Sequence, residues 1–235
     1  MTYNIHHANP PSKPDLIDIA AIAKVINAER PDLVALQEID VNNTRSGKTL
    51  HEANELGRLT GMQAFFAKGI DYGGGEYGVA MLSRLPMADM QRIPLPTDES
   101  TKGEHRTIGT SVITLRDGRK IIFAVTHLDA QSAPTNRLMQ MRKIADYFSN
   151  EKQPVIIAGD FNATPGTEVI NILDSNFTRS CITDCGFTIP VIKPNKTIDF
   201  IAYKLSGSFK VLEHRVIPET YASDHLPVIA VLEVR

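Results

Sequence analysis

Stretches in which apolar residues recur every three to four positions alternate, along this chain, with short continuous apolar runs, and the two textures mark helices and strands. Met-Thr-Tyr-Asn-Ile at 1–5 reads as strand from the first residue. Pro10-Pro11-Ser12-Lys13-Pro14 is then a rigid loop that no helix crosses. Asp15 is placed to cap a helix in which Leu16, Ile19, Ala20, Ala23 and Ile26 share a face, and Arg30-Pro31 stops it. Leu33-Val34-Ala35-Leu36 is continuously apolar, as in a strand buried on both faces, and it runs out in Gln37-Glu38. A second helix is expected over 51–59, with Gly61 ending it.

Strands dominate from there. They are expected at 64–66, 77–82, 111–115 and 120–126, the last two joined by the hairpin signal Asp117-Gly118. The glycine run Gly73-Gly74-Gly75 makes 71–77 a candidate mobile rim. A helix over 134–148 carries Leu138, Met141, Ile144, Ala145 and Phe148 on one stripe. Val155-Ile156-Ile157-Ala158 is another buried strand, ending in Gly159-Asp160-Phe161-Asn162. Shorter elements lead to strands at 198–203, 209–216 and 228–234. No linker, low-complexity tract or fixed-period repeat interrupts the 235 residues, so one mixed α and β domain over 1–235 is expected.

Composition narrows the classes. Hydrophobic residues make up 42% of the chain, which rules out disordered and fibrous readings. No apolar run approaches the ~20 residues of a membrane span. A net charge of −2 argues against a protein that grips nucleic acid by counterion release, so no stable nucleic-acid complex is expected. Cys181 and Cys185 are too few for a disulfide scaffold or a zinc ribbon and read as two ordinary thiols near a turn. A strand that begins on the first Met lacks a lead-in, which suggests an upstream segment, with room for an export signal, has been trimmed. No compartment follows from the sequence; the chain is expected to be soluble and monomeric.

The chemistry sits where strands run out. Asn4, Glu38, His127, Asp160, Asn162, Asp199, Asp224 and His225 each lie at or just past an apolar strand, where rigid elements deliver side chains into a shared crevice. Most of them offer the hard oxygen atoms that Mg²⁺ prefers, and the histidines can shuttle protons. Singly, each has a plainer explanation. Glu38 reads equally as a solvated residue, Asp160-Phe161-Asn162 as a turn, Asp224-His225 as a cap and His127 as a core histidine. If the chain stays extended through 160–162, Asp160 and Asn162 share a side.

Together, Tyr3-Asn4, Leu36-Gln37-Glu38, residues 78–84 (Gly-Val-Ala-Met-Leu-Ser-Arg), Thr126-His127-Leu128, Gly159-Asp160-Phe161-Asn162, Ile198-Asp199-Phe200-Ile201 and Ser223-Asp224-His225-Leu226-Pro227 resemble the endonuclease/exonuclease/phosphatase superfamily, in its order and across the whole chain. The resemblance implies an α/β (α+β) four-layer sandwich, with two packed mixed sheets flanked by helices. It also implies a Mg²⁺-dependent phosphoesterase, with Mn²⁺ as an alternative ion. Glu38, Asn4 and Asp224 become the metal ligands. Asp160 positions or deprotonates the attacking water, with Asn162 beside it, and either Asp160 or His225 is the base. His225 contacts the phosphate and Asp199 fixes its tautomer. His127 matches a second histidine found in the deoxyribonuclease and sphingomyelinase branches.

Arg106 matches a phosphate-contacting arginine of relatives, with a surface ion pair as the plainer reading, and Tyr77 lines the cleft or simply packs. Val79 stands where many relatives carry Asn. Arg137 and Gln140 read as a surface charge and a packing amide. The expected substrate is a phosphodiester of nucleic acid, of a phospholipid head group or of a small molecule, a small or flexible ester before duplex DNA, with an inositol or sugar phosphomonoester as the alternative. A non-catalytic binding module on the same fold is the rival reading. A serine hydrolase is a poor third reading, because no Gly-x-Ser-x-Gly elbow occurs.

Overall fold

The computed structural model describes residues 1–204 and 206–235. The first sheet orders its strands β11 (Phe209–Val216), β12 (Val228–Val234), β1 (Thr2–Asn4), β2 (Leu33–Val41), β4 (Gly75–Ser83) and β3 (Gln63–Tyr72). The second orders β5 (Met87–Pro94), β6 (Thr107–Thr114), β7 (Lys120–His127), β8 (Val155–Asp160), β10 (Asp199–Lys204) and β9 (Thr178–Arg179). Adding six to each strand number of the second order, and restarting after twelve, gives the first. Each sheet also holds one parallel pair, β1–β2 and β7–β8, and the segments joining those pairs carry helices α1 (Ile19–Glu29) and α3 (Thr135–Tyr147). The two halves are thus built alike although the sequence shows no repeat. Equivalent strand ends, Asn4 with His127 and the β2 segment of Glu38 with Asp160, open toward one another.

Four layers follow from three apolar clusters. Ala35, Met81, Phe123, Val125 and Ile201 pack between the sheets. Ile22 and Ile26 of α1, with Leu56 of α2 (Glu52–Thr60), cover the outer face of the first sheet. Met141, Ile144 and Phe148, with Leu173 of α4 (Glu168–Asn176), cover the second. Fully burying each such side chain contributes roughly 1.5–3 kcal/mol relative to leaving it in water. The expected four-layer sandwich is the observed fold. No helix among the described residues is long and apolar enough to cross a membrane.

Several local expectations change. Asp18, not Asp15, caps α1, its carboxylate accepting from Ala21 N at 3.0 Å, and Leu16 lies outside the helix, exposed. Arg30 ends the helix in the left-handed region (φ 49), with Pro31 after it. Gly61 takes that same position after α2 (φ 65), as expected. β2 does not stop at Leu36. It runs on to Val41 across a bulge between Leu36 and Ile39, with Glu38 at φ 61.

The segment 71–77 is no loose rim. Tyr72 pairs with Gly75 in a tight hairpin, and Gly73 O accepts from Thr44 N. Nor is the chain extended through Asn162, which sits at φ 48. β5 was invisible to periodicity because it is an edge strand, mostly exposed. Cys181 and Cys185 form a disulfide rather than two thiols, since the chain turns back between them and brings their Cα atoms to 5.6 Å.

Candidate functional site

Sheet pairing dictates the site. His127 stands beside Asp160 across β7–β8, and Asp160 stands opposite Asp199 across β8–β10, so three reactive groups line one sheet end. Gly159 permits this row, because a Cβ there would collide with the Thr126 carbonyl of β7. From the other sheet, Asn4 ends β1 opposite Gln37, and the β2 bulge brings Glu38 to the same opening. The Asn4 amide ties the sheets together: its Nδ2 donates to Glu38 Oε1 and to Asp160 Oδ2, both at 3.1 Å.

Asp160 is the hub. Its Oδ1 accepts from Asn162 N at 2.8 Å, leaving Oδ2 to face the Asn4 amide and two histidines. His127 Nε2 lies 3.5 Å from Oδ2 and His225 Nε2 lies 3.8 Å away. Those gaps are longer than direct hydrogen bonds, so both Nε2 atoms face Asp160 without being tied to it.

Partners fix the tautomers. Arg106 Nη1, which can only donate, lies 3.1 Å from His127 Nδ1, so Nδ1 accepts and the His127 proton sits on Nε2. Burial, then the Arg106 charge, hold the His127 imidazole well below its usual range, in agreement. His225 is the opposite case. Burial disfavours its charge, but Asp199, whose Oδ2 accepts from Nδ1 at 2.9 Å, outweighs that and lifts it to about 10. Burial and the Asp199 charge together push Asp160 up to about 7, against the pull of His225, Asn162 N–H and Asn4. The site therefore holds a neutral histidine, a cationic histidine and a carboxyl group poised near neutrality.

Arg106 is buried, not on the surface, and also pairs with Glu104 at 2.8 Å. Tyr77 is buried beside Arg106, and burial with the Glu38 charge keeps its phenol protonated. The Asn162 side chain donates to Leu128 O at 3.0 Å, so its backbone N–H, not its amide, serves Asp160. Asp224 is half-buried next to His225, its carboxylate 3.4 Å from Ser223 Oγ, and no described contact joins it to Asn4 or Glu38.

The loop behind Cys185 clasps this segment: Leu226 N donates to Thr188 O, and Val191 N to Asp224 O. Arg137 and Gln140 are buried rather than exposed. They hold the loop after β7 by bonds to Asp129 O and from Asp129 N, both at 2.9 Å. Sequence reasoning passed over His6 and His7, which lie with Glu38 in one cluster, although two adjacent imidazoles two residues past Asn4 were a visible signal.

A hard divalent cation fits the donor set. Burial alone would raise Glu38, yet the His7 ring and the Asn4 amide hold its carboxyl far below the usual range, and its side chain remains 22% exposed. An ionised, reachable carboxylate beside an amide and a second carboxyl is the sparse oxygen set that Mg²⁺ takes with its waters.

A family model described as Endonuclease/Exonuclease/phosphatase family matches residues 1–225. Nocturnin of Xenopus laevis is 26% identical over 85% of this chain, which spans 60% of that protein's length. Among solved structures, an endonuclease/exonuclease/phosphatase from Beutenbergia cavernae superposes with a TM-score of 0.81 at 22% identity, over 99% of this chain and 70% of that one. A mannosyl-6-phosphatase from Bacteroides thetaiotaomicron gives 0.76 at 18% identity, over 99% and 98%. With its fold, its strand-end groups and a family match over nearly its full length, the chain belongs to the endonuclease/exonuclease/phosphatase family.

Proposed function

We propose that this chain hydrolyses a small or flexible phosphoester, a diester before a monoester, by attack of water aided by a divalent cation at Glu38 and Asn4, Mg²⁺ first and Mn²⁺ as the alternative. The observation that carries the reading is the convergence of Asn4, His127 and His225 on one oxygen of Asp160. The cation, when bound, neutralises charge that develops on the phosphoryl oxygens.

This chain's own residues do the rest. Asp160, with a proton affinity near neutrality, orients the water and takes its proton at Oδ2. His225 is already charged and so cannot serve as that base near neutral pH; it holds a phosphoryl oxygen through Nε2–H while Asp199 fixes its ring. His127, its proton on Nε2, donates to a phosphoryl or leaving-group oxygen, and Arg106 holds that tautomer. Asp224, on the loop before β12 of the first sheet, joins the cation only as a further ligand.

Charge favours the diester. The ionised Glu38 faces the opening, the Arg106 guanidinium is already paired with Glu104, and the His225 imidazolium is balanced by Asp199, so a monoanion meets less repulsion than a dianion. The monoester reading draws on the mannosyl-6-phosphatase neighbour, which has nearly this chain's extent. Hydrolysis of a chromogenic diester and its monoester counterpart, with Mg²⁺, Mn²⁺ or EDTA, decides between them. Metal-dependent turnover of neither, nor of any nucleic-acid, phospholipid or inositol phosphate substrate, would overturn the reading in favour of a binding module.

A further inference from the structure

Glu38 faces two ways. Its Oε1 meets the Asn4 amide, on the side of Asp160, whereas its Oε2 lies 3.7 Å from His7 Nδ1. His6, His7 and Glu38 each offer one ligand atom, and the three atoms lie within 4.8 Å of one another. Ligand atoms about a first-row divalent ion, bound at about 2.0–2.2 Å each, sit roughly 3–4 Å apart, so modest side-chain movement closes this set around a cation.

Two features mark these imidazoles as arranged. His6 Nδ1 lies 2.9 Å from Asn9 O, which can only accept, so the proton is on Nδ1 and the Nε2 lone pair is left available. A ring nitrogen anchored on a backbone carbonyl is the usual support of a metal-bound histidine. His7 Nδ1 is shut off from solvent yet has no hydrogen-bond partner among the described residues, which is costly unless something else satisfies it. The backbone is bent to hold both rings here. His6, His7 and Ala8 are all left-handed (φ 48, 41 and 53), as is Glu38 (φ 61). Non-glycine residues in this region are strained, and strain of this kind collects at functional sites.

We propose that His6, His7 and Glu38 form a second cation site, one that takes a borderline first-row ion of the Zn²⁺, Co²⁺ and Ni²⁺ class through imidazole nitrogen. Glu38 is shared with the oxygen-rich site of the functional reading, on which this inference rests for that one residue. Mg²⁺ disfavours nitrogen ligands, so the two sites differ in ion class.

The test titrates the chelator-stripped full chain with CoCl₂ alone, and with MgCl₂ as competitor, following the visible d–d absorption of Co²⁺. The expected result is a nitrogen-ligated spectrum that excess Mg²⁺ does not abolish. His6→Asn and His7→Asn, in which Asn tolerates the left-handed backbone, each weaken Co²⁺ binding at least ~10-fold. If either variant fails to fold, nuclear magnetic resonance of the wild-type histidine rings replaces it. Co²⁺ then shifts or broadens the His6 and His7 signals first. Binding of Co²⁺ no tighter than Mg²⁺, unaltered affinity in both folded variants, or perturbation of other histidines instead would overturn the proposal. Phosphoester hydrolysis with Mg²⁺ is measured on the same wild-type sample. Its absence beside intact Co²⁺ binding would sink the functional reading and leave this site standing, and the converse would do the reverse.

Discussion

Asp160 and Asp199 are direct neighbours across β8 and β10, two buried acids of like charge, and each is answered by a different face of His225. Asp199 takes the near nitrogen at 2.9 Å, and Asp160 faces the far one at 3.8 Å. Such a pair does not share charge evenly. Asp199 is spent on holding the imidazolium, and burial, with the Asp199 charge adding to it, raises Asp160 to about 7.

Removing the Asp199 charge should therefore release the His225 proton. In Asp199→Asn, burial acts on His225 against only the remaining charges of Asp160 and Asp224, so the imidazolium loses its proton at a much lower pH. Histidine resonances followed against pH should show the His225 step, at about 10 in the wild type, fall toward or below its ordinary 6.5. Turnover should drop by at least ~10², the scale of a lost acid–base group. The wild-type contribution of this pair to stability is complete below pH 6.5 and fades as pH rises through about 10. An unmoved histidine titration would contradict the assignment.

Asp160→Asn keeps the shape of the hub but removes its proton acceptor. The expected outcome is a fall in kcat of at least ~10² in a variant that still folds. Wild-type rates from the folded variant would make another group the base.

A second buried carboxyl group makes a prediction about stability alone. Glu52 Oε2 accepts from Asp40 N at 2.7 Å, and burial, with the Asp40 charge adding to it, raises Glu52 from 4.5 to about 8. Between those values the unfolded chain releases this proton and the folded one keeps it. Stability from this group is thus full below pH 4.5 and is lost as pH rises through about 8. Denaturant melts should find Glu52→Gln similar to the wild type near pH 5 and more stable near pH 9, by a few kcal/mol. Equal melts at both pH values would contradict it.

Gly159→Ala should cost roughly 2 kcal/mol or more, because its Cβ meets the rigid Thr126 carbonyl rather than a yielding side chain. It should also lower activity by moving Asp160 away from His127, which a melt and a rate measured on one sample separate. A variant as stable and active as the wild type would show that β7 and β8 can part.

Much of this site was legible before any coordinates. Val155–Ala158 and Leu33–Leu36 announce central strands by continuous apolarity, and acids and amides at their ends announce a crevice. What periodicity could not give was geometry made by tertiary pairing. Glu38 reaches the cleft through a bulge registered against β4, and nothing in Gln37-Glu38 itself dictates φ 61. Asn162 contributes its backbone because the chain turns at that residue. Arg106 and Arg137 look like surface charges by type, and only the closure of the loops around them buries both. The likeness of the two sheets lies in strand order, which no residue repeat records.

The most direct test of the account is the metal dependence of chromogenic phosphodiester and phosphomonoester hydrolysis by the wild type and by Glu38→Ala. The account predicts diester cleavage supported by Mg²⁺, abolished by EDTA, and recovered in the variant only at a much higher Mg²⁺ requirement. Cleavage that survives EDTA, or a Glu38→Ala protein with the wild-type Mg²⁺ requirement, would contradict it.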